Sequence, residues 1–223
     1  MHIVSDGSGS FFSEGGTSGG SSLAVGCFAS ICRDRLADEL LDFSRVCPDV
    51  DIGVHEMPRG ALLTGLRAGE LSLVVLPGEA EAGTQSMAVW HDRVMVAMPH
   101  GHPLAARDAV RPLDLADQPM LVSRQQFGSD MHRFLARLIL PADVALDARI
   151  VDVGPARLIG RVAAGEGVTL LCESHVANLA ADVAVRPVLA DGARFPVRAH
   201  WIEGAPGWPL SALIGSLAHG RMS

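Results

Sequence analysis

The side chains that could do chemistry are few and scattered. Four cysteines, Cys27, Cys32, Cys47 and Cys172, form no C-x-x-C pair. Their irregular spacing in a chain of this size suits reduced, buried, structural thiols in a cytosolic protein better than a secreted disulfide framework. A thiol nucleophile needs a general base beside it, and His55 is the nearest histidine to Cys27 and Cys32 in sequence. Gly16-Thr17-Ser18-Gly19-Gly20 matches the G-x-S-x-G nucleophile pattern. That chemistry requires the serine on a strained strand-to-helix turn, and no apolar strand precedes this one. His100 and His102 flank a glycine, but a metal site needs further ligands at a suitable spacing, and none follows. The expectation is therefore no catalytic residue, no metal site and no cofactor. Binding chemistry is better represented. Ser30 lies between an apolar run and a helical pattern, where it can cap the helix or offer its hydroxyl. Arg59 follows Glu56-Met57-Pro58, and its planar fork can hold a carboxylate. Arg124, Gln125, Gln126 and Phe127 occupy the 123–129 junction between a strand and a helix, a combination of polar groups and an aromatic that suits a ligand site.

The elements that must position these residues are legible as periodicities. Leu23 to Phe28 reads as a buried strand. Leu36, Leu40, Phe43 and Cys47 recur at helical steps over 31–47, and Pro48 ends that helix. Val50, Ile52 and Val54 alternate as a strand. Leu62, Leu63 and Leu66 mark a helix over 60–68, stopped by Gly69. Leu71 to Leu76 is a further strand. This βαβαβ run implies a parallel sheet with helices on its faces. A second α/β stretch begins near Trp90. It has strands at 94–98, 120–123, 150–153, 168–171, 183–189 and 195–202, and helices around Met131–Leu138, Leu158–Ala163 and Leu210–Leu217.

The expected fold class is α/β: two α/β units in tandem, joined by crossing strands. Residues 1–22, rich in Gly and Ser, read as a flexible tail. Residues 23–90 form lobe I, 91–195 lobe II, and 196–223 return to lobe I. The boundaries fall inside apparent strands, which suits a hinge.

Composition narrows the partners. The net charge is −7, and the 18 basic residues, all Arg, are scattered, so no basic stripe marks a nucleic-acid surface. Residues 1–22 lack the basic and apolar regions of a signal peptide. No stretch approaches the length of a membrane span. A cytoplasmic protein without membrane contact is expected.

Five segments resemble one family. Leu23-Ala-Val-Gly26 is similar to its opening L-x-I-G strand. Phe43 with Pro48-Asp49-Val50 resembles F…x-P-D-V. Leu66 to Leu73 resembles L-x-x-G-x-L-D-L, with Ser72 where Asp is usual. Gly101 to Ala105 resembles the H-P-L-A turn, and Val162 to Leu170 resembles V-A-A-G-x-G-I-x-L. Their order and spacing resemble the effector-binding domain of LysR-type transcriptional regulators, from Leu23 to about His219. One departure is Leu36-Ala37, where the family often has Leu-Pro.

The resemblance implies two Rossmann-like lobes of the periplasmic-binding-protein-like fold of type 2, with a small-molecule effector, expected to be an anion, bound in an inter-lobe cleft to control transcription. It implies Ser30 and Arg59 on one wall, Arg124, Gln125, Gln126 and Phe127 on the other, and Gly154 near the hinge. It also implies a homo-oligomer, a dimer or, at full length, a tetramer, assembled through first-lobe helix and strand edges. The strand edge near Val50–Val54 is the candidate surface. Operator DNA would be bound only through an N-terminal winged helix-turn-helix, which residues 1–22 cannot supply. Two rivals are an exported solute-binding protein of a transporter and an enzyme using Cys27 or Cys32 as nucleophile.

Overall fold

In a computed structural model, the described residues are 2–4, 21–28, 33–125, 128–141, 144, 146, 148–179, 182–202, 204 and 206–219. The chain divides into two compact units. The first comprises Met1–His91 with Pro196–Ser223, the second Asp92–Phe195.

In the first unit, β2 (Ser21–Phe28), β3 (Val50–Met57) and β4 (Leu73–Pro77) run parallel, joined by helices α1 (Arg33–Val46) and α2 (Arg59–Ala68). β1 (His2–Val4) lies outside β3, and β10 (Arg194–Trp201) pairs antiparallel with β4, giving the order β1-β3-β2-β4-β10. α5 (Leu210–His219) packs against α1. β4 is buried throughout, the continuous apolar run of a strand covered on both faces. Gly26 is required by α2: a Cβ there would lie 2.5 Å from Leu62 Cδ2 and 2.9 Å from Leu71 Cδ1. The glycine lets the helix sit directly on the sheet.

Two readings of this unit change. His2, Ile3 and Val4 are not tail but pair in parallel with Gly53, Val54 and His55. The edge of β3 expected as an assembly surface is therefore occupied at those positions. An unpaired strand edge presents open N–H and C=O groups, which any short extended segment of the same chain can satisfy.

In the second unit, β5 (Gln85–Pro99) pairs antiparallel with β8 (Thr169–Cys172) and β9 (Val183–Pro187). β6 (Met120–Ser123) and β7 (Ala148–Val151) form a parallel pair. β6 is bridged to the start of β8 through Met120 and Val168. Met95, Ala97, Leu121, Val151, Leu158, Val162, Leu171 and Val183 form a core cluster beneath α4 (Pro155–Ala163). α3 (Gly128–Ile139) buries Met131, Leu135 and Ile139. Both unit boundaries fall inside strands, between residues 91 and 92 of β5 and between 195 and 196 of β10.

The glycines after α4 have separate causes. Gly165 takes φ +84°, the left-handed turn that ends a helix. Gly167 makes a close approach, since a Cβ would lie 2.3 Å from the Pro119 carbonyl oxygen.

Candidate functional site

In the second unit the parallel pairing of β6 and β7 decides the geometry. Parallel strands end at the same edge, so the loops leading to α3 and α4 emerge side by side. Ser123, the last residue of β6, is buried and ties the two loops together. Its Oγ donates to the Val153 carbonyl at 2.6 Å and accepts from the Gln125 N–H at 3.0 Å. The Arg124 N–H donates to the Val151 carbonyl at 2.9 Å. Gln125 Nε2 donates to Asp152 Oδ1 at 3.1 Å, a side-chain bridge across the same gap. Gly128 is the only fit for the first residue of α3, because a Cβ would stand 2.5 Å from the Ser123 carbonyl oxygen.

Gly154 is the N-cap of α4 and brings no side chain to cap it, and Pro155 follows at the first helical position. The next N–H groups of that turn have no partner within the helix and carry its partial positive charge. Asp152, two residues before the cap, supplies the opposite charge. Arg124 is exposed, and its guanidinium makes no hydrogen bond or ion pair among the described residues. Of the residues expected to face a ligand, Arg124, Gln125 and Gly154 are thus brought to one edge of this unit. Gln126 and Phe127 lie outside the described residues. Ser123 and Asp152 complete the group. Ser123 has no sequence signal that separates it from an ordinary strand end.

In the first unit, Arg59 is the first residue of α2, behind the N-cap Pro58, which makes no side-chain cap. Its guanidinium is already engaged. Nε donates to Glu81 Oε1 at 3.2 Å, Nη2 makes a short contact to the same oxygen, and Nη1 donates to the Pro77 carbonyl at 2.8 Å. The pair is about one-third exposed at Arg59 and one-quarter at Glu81. Below it, buried His200 meets Thr84 Oγ1 at 3.2 Å through Nδ1. Thr84 Oγ1 gives its own proton to the Glu81 carbonyl at 2.9 Å, so His200 Nδ1 is the donor. His200 Nε2 is buried without a partner among the described residues. Burial, then the charge of Arg59, pushes its pKa down to about 4. Ser30 lies outside the described residues.

The catalytic rival loses its geometry. In the register of β2 and β3, Cys27 faces Glu56 while His55 faces Gly26. Alternate residues point to opposite faces, so Cys27 and His55 lie on different sides of the sheet. Cys27, Cys47 and Cys172 carry thiols rather than disulfides. Burial and then the charge of Asp92 push the Cys172 thiol well up, against thiolate formation. Cys32 lies outside the described residues. His102 has a structural task. Its Nδ1 accepts from the Leu104 N–H at 3.2 Å, capping the short helix at Pro103–Ala106, and its Nε2 meets Gln118 Oε1 at 2.9 Å. Among the described residues no cluster of three or more His, Cys, Asp or Glu could hold a metal.

Comparison with known proteins places this fold. Residues 16–219 match the LysR substrate binding domain, and the chain belongs to that family. The uncharacterized HTH-type transcriptional regulator YnfL of Escherichia coli strain K12 is 28% identical over 138 residues, 61% of this chain and 46% of that protein. A probable hydrogen peroxide-inducible genes activator of Mycobacterium avium is 36% identical over 77 residues, 34% of this chain and 24% of that protein. These matches span less than half of either relative. Among solved structures, the reduced OxyR regulatory domain from Pseudomonas aeruginosa superposes with a TM-score of 0.70 at 23% identity, covering 89% of this chain and 95% of that one. The BenM effector binding domain with its effector benzoate has a TM-score of 0.73 at 18% identity, covering 88% and 90%. The α/β fold expected from the sequence is the one these structures share. Among the described residues no helix is long and apolar enough to cross a membrane.

Proposed function

We propose that this chain is the effector-sensing domain of a LysR-type transcriptional regulator and that it binds a small anionic molecule without reacting on it. The observation that carries the reading is the shared edge of β6 and β7. Two helix starts, an unengaged arginine and an amide meet there around one buried serine. Helix starts favour anions, and an arginine fork fixes a carboxylate in orientation. Arg59 is the second anion-binding group, on the first unit. Ser30, Gln126 and Phe127 complete the proposed ligand contacts on family resemblance.

The placement of Cys27 and His55 on opposite faces of the sheet supports binding over catalysis by that pair. Family membership favours a regulator over an exported transport protein. In the whole protein, effector binding would change the arrangement of a cytoplasmic homo-oligomer, and DNA would be contacted through a separate domain. Residues 23–90 and 196–223 would then act as one lobe and 91–195 as the other.

BenM takes benzoate, which makes aromatic and aliphatic carboxylates the first panel to screen. Thermal-shift titration of that panel should find a ligand for the wild type. Arg59→Ala, Arg124→Ala and Gln125→Ala should each weaken it at least about fivefold, the scale of one lost charge-assisted contact. Equal affinity in all three variants sinks the site.

A further inference from the structure

The Arg59 pair is part of a larger arrangement within the first unit. The segment 78–84 connects β4 to β5 and is gripped by α2 at both ends of the helix. Arg59, in the first turn, holds Glu81, and Arg67, in the last, donates to the Ala82 carbonyl at 3.3 Å. The same segment reaches β10. Thr84 receives the His200 imidazole, and one residue into β5 Ser86 Oγ accepts from Arg198 Nε at 3.1 Å. Among the described residues His200 Nε2 has no partner, so Thr84 supplies the hydrogen bond that fixes that buried ring. β5 and β10 are the strands that leave this unit for the other. The roots of both are therefore held by one strap, which α2 fastens through the Arg59–Glu81 ion pair and the Arg67 hydrogen bond.

We propose that Glu81 is the gate on this anion site: its carboxylate occupies Arg59 and fastens the 78–84 strap until an effector carboxylate takes its place and frees the strap at the roots of β5 and β10. The proposal rests on the reading of Arg59 as an effector-binding residue. Chemistry favours the exchange. The incoming group matches the outgoing one, Arg59 keeps its Pro77 contact throughout, and the pair is exposed enough for a solute to reach. Glu81 would thus set the class of effector: a carboxylate competes on equal terms, whereas a neutral ligand leaves the strap fastened.

Hydrogen exchange followed by mass spectrometry tests this on the whole chain, with sodium acetate as the probe. Glu81→Ala should speed exchange of amides in 78–88 and 197–202 by up to about fivefold while leaving 120–123 and 169–172 unchanged. About 100 mM acetate, against sodium chloride of matched ionic strength, should loosen the same segments in the wild type and add nothing in Glu81→Ala. Unchanged exchange in Glu81→Ala overturns the strap. A loosened Glu81→Ala with no acetate response in the wild type overturns the gate. An acetate response that persists in Arg59→Gln means that Arg59 is not the anion-binding group. In that case the effector-site reading fails on its own, separately from the mechanical role of Glu81.

Discussion

Ser123→Ala isolates the joint that holds the second-unit site together. The side chain is only 5% exposed. The substitution keeps the backbone and removes both Oγ bonds, to the Val153 carbonyl at 2.6 Å and from the Gln125 N–H at 3.0 Å. The two partners are not equal. Gln125 is exposed, so water can replace the lost acceptor, and this bond falls near the ordinary net value of about 1 kcal/mol. Val153 is half-buried, and its carbonyl loses a short bond in a place where water is less available, a cost of about 1–2 kcal/mol. The sum is about 2–3 kcal/mol, equivalent to a Tm lower by roughly 4–12 °C for a chain of this size. Scanning calorimetry reads it directly. Ser129→Ala is the control: its Oγ lies 3.5 Å from the Ser123 carbonyl, at the outer limit of a hydrogen bond. A Ser123→Ala transition within about 1 °C of wild type would show that the two loops are not fastened through this hydroxyl.

Three further outcomes are expected. Gly128→Ala drives a Cβ to 2.5 Å from the Ser123 carbonyl oxygen, so α3 must shift, at a cost of about 1–3 kcal/mol; a urea midpoint equal to wild type would contradict the close approach. Asp92, 2% exposed, accepts from the Arg93 N–H at 2.9 Å, the Ser174 N–H at 3.2 Å and the Ser174 hydroxyl at 2.7 Å. Asp92→Ala should cost about 2–3 kcal/mol by stranding those donors, with Asp92→Asn retaining part of the loss in equilibrium unfolding. His200 takes up a proton more readily unfolded, near 6.5, than folded, near 4. Its contribution to stability is therefore complete above about pH 6.5, declines as pH falls toward 4, and is flat below. The full swing is about 3 kcal/mol, and His200→Asn should flatten the midpoint-against-pH curve between 7 and 4.5; parallel curves would refute a neutral buried imidazole.

The elements were largely legible because their signals are local. Leu36, Leu40 and Phe43 recur on the buried side of α1, and Gly69 takes the left-handed φ of +75° that closes α2. What escaped was non-local. β5 is 15 residues long, and its first half alternates weakly, with Gln85, Ala88 and His91 exposed. Only the apolar stretch around Val94–Met98 announces a strand. β1 has three residues and earns its place solely by pairing with β3. The site divides the same way. Arg124, Gln125 and Gly154 sit at element junctions, which periodicity can find. Glu81 lies 22 residues from Arg59, and Ser123 lies 30 from Val153. No spacing rule joins residues brought together by a sheet crossover. Arg59 illustrates the cost: alone it reads as an open fork, and in the fold it is a fork already holding a carboxylate.

That internal carboxylate bears on what an effector must be. Each unit keeps an acid on a group proposed above to meet the ligand, Glu81 on Arg59 and Asp152 on Gln125, in a chain of net charge −7. Were the Arg59 pair fully buried, breaking it would cost about 3–5 kcal/mol, beyond what a small carboxylate recovers from one contact. At one-third and one-quarter exposure, it sits in the range where an ion pair is worth at most about 1 kcal/mol. The internal acid then weakens an incoming anion by no more than roughly fivefold. It is a threshold, not a block. A bare anion must cross it with charge alone, while a larger carboxylate can add contacts through its body and pass more easily. If a panel of carboxylates of increasing apolar size bound the wild type with the same affinity as acetate, this account of the threshold would fail. If affinity rose with size in the wild type and the Glu81→Ala gain stayed near fivefold across the series, the competing acid and the body contacts would be separate, additive parts of recognition.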